Sequence, residues 1–457
     1  MDPAIFKSYD IRGIYPSELD EEDVYKITKS FFTFVVGKLG KTVPPEIVLS
    51  YDGRLSSPAL ADRARKALIE SGAQVIDIGL SSTPTFYFAV YRYGYDAGVQ
   101  ISASHNPKEY NGLKPVIKIG SDLTKIGEDT GLKEIKKTAQ AERFVTLEEP
   151  GKLIKKTGAA SDQVENALQI TGNPKVVPLK VVADAANGTG AIYLEELFKK
   201  LPGELVKLNF KIDGSFPSHK PDPSQTQMLS QLQEKVVSEK ADLGIAPDGD
   251  SDRLFFVDEK GGAVPASVIT SLVAGEILKK RPGEKIGFDV RSTLNVLNTL
   301  KENGGIPIVN RIGNPYATEV MKKENCIFFG ENSGHYLFRD TSYVEDPILV
   351  ILIVLSVISR EKKPLSEILN PLSVSFQAEQ INIKITDPQK VIESLRSKYE
   401  NGQINFIDGL SVDFPNWRFN IRPSNTEPVV RLNVEALNKK LMEEKKEEIV
   451  KIINSYK

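Results

Sequence analysis

Glu46-Ile47-Val48-Leu49-Ser50-Tyr51, followed directly by Asp52-Gly53-Arg54, is the stretch that decides the predicted fold. A short apolar run predicts a buried strand, and the Asp-Gly pair after it predicts a turn. Ser57-Pro58 then marks the start of a helix, because proline is favoured at the first helical position. We expect that helix to reach Ser71 and a further strand to cover residues 74–78.

This succession of strand, Asp-containing turn, helix and strand recurs twice in the chain. Residues 179–188 lead into a helix predicted to end at Lys200, and residues 286–292 lead into one predicted to end at Asn303. Three copies, each roughly a hundred residues or more from the next, predict three related α/β domains. Residues 377–385 instead alternate between apolar and polar side chains, which predicts a half-exposed strand in a different kind of domain.

We therefore predict an α/β protein with three related mixed-sheet domains and a C-terminal α+β domain, arranged around a central active-site cleft. The predicted domains cover residues 1–150, 151–256, 257–370 and 371–457. A chain of 457 residues is too long for a single core, which agrees with this division.

Composition excludes several classes of function. Lys and Arg total 59 against 61 Asp and Glu, and a net charge of −2 argues against nucleic-acid binding. The single cysteine, Cys326, excludes an intrachain disulfide and agrees with a reducing compartment. The N-terminus has no apolar signal core, and the apolar run at residues 348–358 is too short to span a bilayer. We predict a cytoplasmic protein with no membrane partner, and a buried helix for the apolar run.

Ser104 lies in the segment Ser102-Ala103-Ser104-His105-Asn106-Pro107, directly after a strand predicted at residues 97–101. A serine between small residues at the end of a strand is expected to be exposed and reachable by a phosphate group. Loops at the carboxyl ends of strands are also where α/β domains place their chemistry. Taken alone, the segment fits an ordinary Asn-Pro turn better.

Three aspartates alternate in the loop Asp248-Gly249-Asp250-Ser251-Asp252-Arg253, which lies between two apolar runs. Carboxylates packed this closely repel one another, and their hard oxygen atoms favour Mg²⁺ or Ca²⁺. An EF-hand is excluded because Arg253 occupies the position that requires glycine and because a strand fills the second half of the loop. A solvated acidic turn is the weaker alternative.

Two further loops also follow predicted strands. Residues 330–335, Gly-Glu-Asn-Ser-Gly-His, carry side chains that bind hydroxyl groups, although a glycine-flanked turn fits about as well. Residues 422–428, Arg-Pro-Ser-Asn-Thr-Glu-Pro, with Arg431 beyond them, offer guanidinium, hydroxyl and amide donors for a phosphate. The alternative for this loop is a capped turn, because Ser, Asn and Thr also bond their own backbone.

Together the four loops resemble those of the α-D-phosphohexomutase family, close to its phosphomannomutase/phosphoglucomutase branch. Residues 102–107 match the family's phosphoserine loop, 248–253 its metal loop, 330–335 its sugar loop and 422–428 its phosphate loop. The loops occur in the family's order and spacing, so the resemblance covers the whole chain. Residues 9–13 and 110–114 resemble the mannose/glucose branch in particular.

The resemblance implies reversible interconversion of hexose 1-phosphate and hexose 6-phosphate, with mannose or glucose as the sugar. It implies a phosphoserine at Ser104, a hexose 1,6-bisphosphate intermediate, Mg²⁺, and glucose or mannose 1,6-bisphosphate as activator. The catalytic residues that it implies are Ser104, Lys114, Arg253, His335 and His105. The implied metal ligands are Ser104, Asp248, Asp250 and Asp252. The implied substrate-binding residues are Tyr9, Arg12, Glu331, Ser333, Arg422, Ser424, Asn425, Thr426 and Arg431.

Other functions within reach of this sequence are a phosphoglucosamine mutase, a metal-dependent sugar phosphatase and a non-catalytic sugar-phosphate binder. The first is the main alternative, because Ser102 is shared with that branch of the family. Asn314, Asn332 and Pro347 also depart from the residues usual in the family and leave the choice of sugar open. The expected partners are small sugar phosphates, and the expected assembly is a monomer or homodimer.

Overall fold

The computed structural model of this protein describes residues 1–291, 293–423 and 429–456. The chain divides into two compact units. Unit 1 comprises Met1–Val264 and Gly334–Leu365, and unit 2 comprises Pro265–Ser333 and Ser366–Lys457.

The first sheet of unit 1 is built around the stretch at residues 46–54. Its strands are β1 (Ile11–Ile14), β2 (Glu46–Tyr51), β3 (Gln74–Leu80), β4 (Ala97–Ile101), β5 (Tyr110–Ile119), β6 (Asp122–Lys125) and β7 (Lys152–Lys155). The spatial order is β1-β5-β4-β2-β3-β7, with β6 paired to β5. Strands β2, β3, β4 and β7 are parallel, and β5 runs antiparallel to β1 and β4. The helices are α1 (Glu21–Leu39), α2 (Ser57–Ser71), α3 (Thr83–Tyr93) and α4 (Leu132–Ala141).

The second sheet of unit 1 has the order β12-β11-β10-β8-β9. In chain order its elements are α5 (Ala159–Thr171), β8 (Leu179–Asp184), α6 (Gly190–Phe198), β9 (Gly203–Leu208), α7 (Ser230–Glu239), β10 (Leu243–Pro247), β11 (Leu254–Asp258) and β12 (Ala263–Val264). Strands β10 and β11 form an antiparallel hairpin. The turn of that hairpin is the loop with the three aspartates.

The rest of the chain alternates between the two units. Unit 2 begins with α8 (Ala266–Lys280), β13 (Lys285–Asp289), α9 (Leu294–Asn303), β14 (Ile306–Asn310), α10 (Asn314–Glu324) and β15 (Phe328–Gly330), whose strands are parallel in the order β14-β13-β15. Unit 1 continues with the antiparallel pair β16 (Tyr336–Phe338) and β17 (Val344–Glu345), then α11 (Pro347–Glu361). A short helix, α12 (Leu365–Leu369), follows.

The C-terminal part of unit 2 is a sheet with the order β18-β23-β22-β21-β20, and β19 pairs with β23. Its elements are β18 (Phe376–Gln377), β19 (Ile381–Lys384), α13 (Pro388–Lys398), β20 (Gln403–Asn405), β21 (Leu410–Asp413), β22 (Trp417–Pro423), β23 (Val429–Ala436) and α14 (Lys439–Asn454). The chain thus has three α/β sheets followed by a C-terminal sheet of a different kind, which confirms the predicted fold class.

Local signals predicted the elements well, with a few differences. Helix α2 has the predicted ends, and α9 ends at Asn303, whereas α6 ends at Phe198 instead of Lys200. The single strand predicted at 377–385 is two strands, β18 and β19, because four steps from residue 377 to 381 face three steps on β23. Such an extra residue interrupts the ladder.

The apolar run at residues 348–358 forms the buried helix that the sequence predicted, as part of α11. In the described part of the chain, no helix combines the length and the apolar character needed to cross a membrane.

Candidate active site

Ser104 lies directly after β4 and is almost completely buried, at 2% exposure, where the sequence had suggested an exposed side chain. The loop with the three aspartates accounts for the difference, because Asp248 lies against the serine. The Ser104 hydroxyl donates to Oδ2 of Asp248 at 3.0 Å and lies 3.1 Å from Nδ1 of His105. The Ser104 backbone has a φ of +50°, and its N–H donates to the Ser102 hydroxyl at 3.0 Å. Left-handed backbone is uncommon outside glycine, so the loop is held in a specific shape.

Asp248, Asp250 and Asp252 are all buried, and one carboxylate oxygen from each lies within 4.8 Å of the others. Oδ2 of Asp250 accepts from the hydroxyls of Ser102, at 3.0 Å, and Thr83, at 2.5 Å. Oδ1 of Asp250 is buried and has no hydrogen-bond partner among the described residues. A buried carboxylate oxygen without a donor is an unusual arrangement, and it is expected where a cation binds.

Lys114, on β5, brings a positive charge to this cluster. Its Nζ donates to Oδ2 of Asp250 and, at 2.8 Å, to Oδ2 of Asp252. Burial lowers the pKa of Lys114, but the charges of Asp250 and Asp252 outweigh it and raise the pKa well above the usual range. The Lys114 side chain is therefore protonated at neutral pH.

His335 and Arg253 lie on the other side of Asp252. Nε2 of His335 is 3.4 Å from Oδ1 of Asp252 and 3.4 Å from Nε of Arg253. The Arg253 backbone N–H donates to Oδ1 of Asp248 at 3.2 Å. Burial, together with the charges of Arg253 and Arg12, lowers the pKa of His105 well below its usual value, so His105 is neutral at pH 7.

The donor set fits a divalent cation that prefers oxygen ligands. Three carboxylates converge, two of their oxygen atoms (Oδ1 of Asp250 and Oδ1 of Asp252) have no hydrogen-bond donor among the described residues, and the Ser104 hydroxyl lies beside Asp248. Hard oxygen donors in this number are typical of Mg²⁺ and Ca²⁺ sites. Without a metal, burial and the neighbouring Asp252 and Asp250 raise the pKa of Asp248 to about 8.

This raised pKa predicts how the stability of the metal-free protein depends on pH. Asp248 holds its proton in the folded state up to about pH 8, while the ordinary value is 3.8. The unfolded chain releases that proton at lower pH, so the stabilising contribution is lost as the pH rises through the folded-state pKa. We expect the melting temperature in EDTA to fall between about pH 5 and pH 8, and Mg²⁺ to raise it more at pH 8.

Asp248→Asn is the matched control for this pH dependence, because it cannot titrate. Differential scanning fluorimetry of both proteins with EDTA or Mg²⁺ gives the comparison. An equal dependence on pH in the two proteins would show that Asp248 does not have the raised pKa.

Arg12 joins the N-terminal strand to the serine loop. Its guanidinium donates twice to Oδ2 of Asp10, at 2.7 and 2.9 Å, to the backbone oxygen of Ala103 at 3.3 Å, and to the Asn106 side chain. Tyr9, on the same segment, is 41% exposed. The structure thus brings Arg12 to the loop with Ser104 and leaves the ring of Tyr9 accessible.

Glu331 and Ser333 form a second polar cluster, within unit 2. Glu331 is only 1% exposed; its Oε1 accepts the backbone N–H of Gly313 at 3.1 Å, and its Oε2 accepts the Ser333 hydroxyl at 3.0 Å. Asp289, at the end of β13, accepts the backbone N–H of Asn332 at 2.8 Å. The loop is therefore tied to two neighbouring strand ends of the same sheet.

Arg422 and Arg431 are directly opposite each other on β22 and β23 of unit 2. Burial lowers the pKa of Arg422, Asp408 raises it, and Arg291 and Arg431 lower it further, with a net lowering. Nε of Arg422 is buried and has no hydrogen-bond partner within the described ranges. Neighbouring guanidinium groups of this kind are suited to an anion. Ser424, Asn425 and Thr426 lie outside the described residues.

Comparison with known proteins gives a single answer. Models of the α/β/α domains I, II and III of phosphoglucomutase/phosphomannomutase match residues 3–145, 161–262 and 266–374. The model of the C-terminal domain matches residues 381–452. The chain belongs to the phosphoglucomutase/phosphomannomutase family. It is a phosphohexomutase, an isomerase, as the four loops had suggested.

Relatives match this mutase over nearly its whole length. A phosphomannomutase of Vibrio cholerae is 36% identical over 98% of both chains, and one of Escherichia coli is 34% identical over 98% of both. The crystal structure of a phosphoglucomutase/phosphomannomutase family protein from Burkholderia thailandensis has a TM-score of 0.89 and 31% identity. It covers 100% of this chain and 98% of its own.

Sequence reasoning missed three groups of the mutase that lie beside the serine and aspartate loops. Arg54 was seen only as part of a turn, although its side chain is buried against the serine loop. Thr83 donates to Asp250 from the start of α3. Lys125 forms a buried ion pair with Glu345 at 2.6 Å. None of the three belongs to a recognisable sequence motif, because each contacts residues that lie at least 50 positions away in the chain.

The buried ion pair between Lys125 and Glu345 is expected to contribute to the free energy of unfolding. Both side chains are buried, at 8% and 1% exposure. A carboxylate oxygen of Glu345 also lies within 4.8 Å of a carboxylate oxygen of Asp252 and a ring nitrogen of His335. Lys125→Met leaves a buried carboxylate without its ion-pair partner, which costs about 3–5 kcal/mol. We expect the double variant Lys125→Met/Glu345→Gln to recover at least half of the loss in urea unfolding. A single variant as stable as the double would contradict this.

Proposed function

We propose that this phosphohexomutase interconverts the 1-phosphates and 6-phosphates of mannose and glucose, with Ser104 as the phosphoryl carrier. The observation that supports this most strongly is the 3.0 Å hydrogen bond from the Ser104 hydroxyl to Asp248 within the buried carboxylate cluster. A serine beside a cluster suited to a divalent cation is well placed to carry a phosphoryl group.

Asp248, Asp250 and Asp252 would hold Mg²⁺, and an oxygen of the phosphoryl group on Ser104 would complete the protein ligands. When bound, the cation neutralises charge on the phosphoryl oxygens as the bond to serine breaks. The aspartates are already fixed by donors such as the Thr83 hydroxyl, from the start of α3, and the Arg253 backbone N–H, from the same loop. Little reorganisation of these side chains is then needed during transfer.

In the proposed transfer, the bond from phosphorus to the serine oxygen breaks and a bond to a free sugar hydroxyl oxygen forms. The sugar hydroxyl loses its proton, and the serine oxygen gains one. Lys114, which Asp250 and Asp252 keep protonated, is the candidate acid, and His335 is the candidate base. Arg253, the last residue of the loop with the three aspartates, supplies positive charge. The product is a hexose 1,6-bisphosphate, which then returns its other phosphate to Ser104.

A substrate that binds in two orientations needs a sugar site and a distal phosphate site that serve both. For the sugar we propose Glu331 and Ser333, because the Glu331 carboxylate is buried and is oriented by the Gly313 backbone N–H and the Ser333 hydroxyl. For the distal phosphate we propose Arg422 and Arg431, together with Ser424, Asn425 and Thr426. Arg12 and Tyr9 complete the proposed substrate contacts.

The serine at position 102 does not favour glucosamine over mannose or glucose as the substrate. The Ser102 hydroxyl accepts the N–H of Ser104 and donates to Asp250. A threonine would offer the same hydroxyl, so the residue at position 102 affects the serine loop and gives no information about which sugar binds. Residues 110–114, which resemble the mannose/glucose branch, therefore decide our choice.

A coupled assay with mannose 1-phosphate, glucose 1-phosphate and glucosamine 6-phosphate tests the proposal. Mg²⁺ and a trace of glucose 1,6-bisphosphate are supplied in every reaction. We expect turnover of the first two sugars at rates well above that of glucosamine 6-phosphate, with almost no free phosphate. A preference for glucosamine 6-phosphate would identify a phosphoglucosamine mutase, and stoichiometric release of phosphate would identify a phosphatase.

A further inference from the structure

Arg54, in the turn after β2, uses both terminal nitrogens of its guanidinium group to bind the backbone of the serine loop. Nη2 donates to the backbone oxygens of Ser104 and Asn106, each at 2.7 Å. Nη1 donates to those of Pro107, at 2.7 Å, and Tyr110, at 3.0 Å. One side chain therefore satisfies four carbonyl groups within seven residues of chain.

The guanidinium group is itself fixed from several sides. Arg54 is only 1% exposed. Its Nε donates to Oδ2 of Asp52 at 3.2 Å, and Oδ1 of Asp52 accepts the Ser57 hydroxyl at 2.6 Å. The ring of Phe216 lies 5.3 Å from the guanidinium carbon. A planar fork of five donors held in this way defines the positions of its acceptors, which a lysine ammonium cannot do.

The carbonyl group of Ser104 is the most constrained of the four. It accepts from Arg54 on one side, and on the other it faces the turn of the aspartate hairpin. A Cβ atom added to Gly249 would lie only 2.7 Å from the Ser104 oxygen, so the two loops touch through their backbones. The Ser104 backbone has a φ of +50°, which is uncommon for a residue other than glycine, so the contacts on its carbonyl group help to hold a conformation that the chain would otherwise rarely adopt.

We infer that Arg54 is a positioning residue of the mutase, which fixes the backbone of Ser104 so that its phosphoryl group meets the aspartate cluster. The inference rests on the proposed role of Ser104 as carrier. The Arg54 side chain contacts Asp52, the ring of Phe216 and the backbone of residues 104–110, so the proposed role is exerted through that loop. Loss of Arg54 is therefore expected to slow phosphoryl transfer much more than it weakens substrate binding.

Arg54→Lys tests the inference. Asp52→Asn is a second variant: asparagine has nearly the same shape as aspartate, but without the negative charge it holds the Arg54 guanidinium less firmly. A misplacement of about 1 Å can lower a rate by about 100-fold. We expect kcat of Arg54→Lys to fall by about 100-fold, with KM for glucose 1-phosphate changed by less than about threefold. Asp52→Asn should show the same pattern with a smaller loss. Hydrogen exchange of the backbone amides of residues 104–106 and 108–110 should become faster in both variants.

Arg65→Lys is the matched control, because Arg65 lies on α2 and binds the side chains of Asp62 and Asp77, away from the serine loop. Leu60→Ala, a core change on the same helix, controls for lost stability alone. A kcat of Arg54→Lys near the wild-type value, or a loss no greater than that of Leu60→Ala at equal stability, would overturn the inference. Ser104→Ala distinguishes a failure of this inference from a failure of the proposed function. Full activity of Ser104→Ala would overturn the carrier role itself, whatever the result for Arg54→Lys.

Discussion

Ser104→Ala is expected to lower kcat by about 10⁴-fold or more, the largest effect of any substitution considered. The alanine removes the oxygen that accepts and donates the phosphoryl group. Ser102 is the nearest serine in sequence, but its hydroxyl is engaged with Asp250 and the backbone of residue 104. The measurement is the steady-state rate with glucose 1-phosphate, Mg²⁺ and bisphosphate activator.

Ser121→Ala is the control for this substitution, because Ser121 is exposed and its side chain bonds only to Asp122 among the hydrogen bonds resolved here. It should keep the wild-type rate. The Ser104→Ala protein should retain its melting temperature within a few degrees, since the lost hydroxyl makes few contacts. Turnover by Ser104→Ala at the wild-type rate would refute a serine carrier.

Asp250→Asn should produce the second large effect, a loss of about 10³-fold in kcat/KM. Stabilisation of transition-state charge by a bound metal amounts to several kcal/mol, which corresponds to about this factor in rate. Oδ1 of Asp250 is one of two oxygen atoms in the carboxylate cluster that lack a hydrogen-bond donor in the described structure, so it is available to a cation. Mg²⁺ affinity from calorimetry should fall in parallel with the rate.

Asp162→Asn is the matched control, because Asp162 is an exposed carboxylate on α5 that bonds to the Tyr93 hydroxyl. It should leave both Mg²⁺ affinity and kcat/KM unchanged. Unaltered Mg²⁺ binding in Asp250→Asn would show that the metal is held elsewhere.

The parts of the fold that the sequence predicted are those with local causes. Ser57-Pro58 and the glycine after Ser71 define the ends of α2, and a glycine follows α9 as well. Turn residues at strand ends also marked the loops that carry the chemistry. These signals lie within a few residues of what they specify, so a single sequence contains them.

The parts that the sequence did not predict depend on contacts between distant segments. The carbonyl groups that Arg54 binds lie 50 to 56 positions further along the chain, and they belong to the backbone, which has no sequence signal. Lys125 and Glu345 are 220 positions apart. The burial of Ser104 was missed for the same reason, because Asp248 covers it from a position 144 residues away.

The most direct test of Ser104 as the phosphoryl carrier is a single turnover of the phosphorylated mutase with mannose 6-phosphate. Protein treated with glucose 1,6-bisphosphate and freed from it is mixed with the sugar, and the peptide that contains Ser104 is followed by mass spectrometry. We expect one phosphoryl group on Ser104, which is lost as an equal amount of mannose 1,6-bisphosphate forms and is regained as mannose 1-phosphate appears. Isomerisation of the sugar phosphate without phosphate on Ser104 at any time, or with phosphate on a different residue, would contradict it.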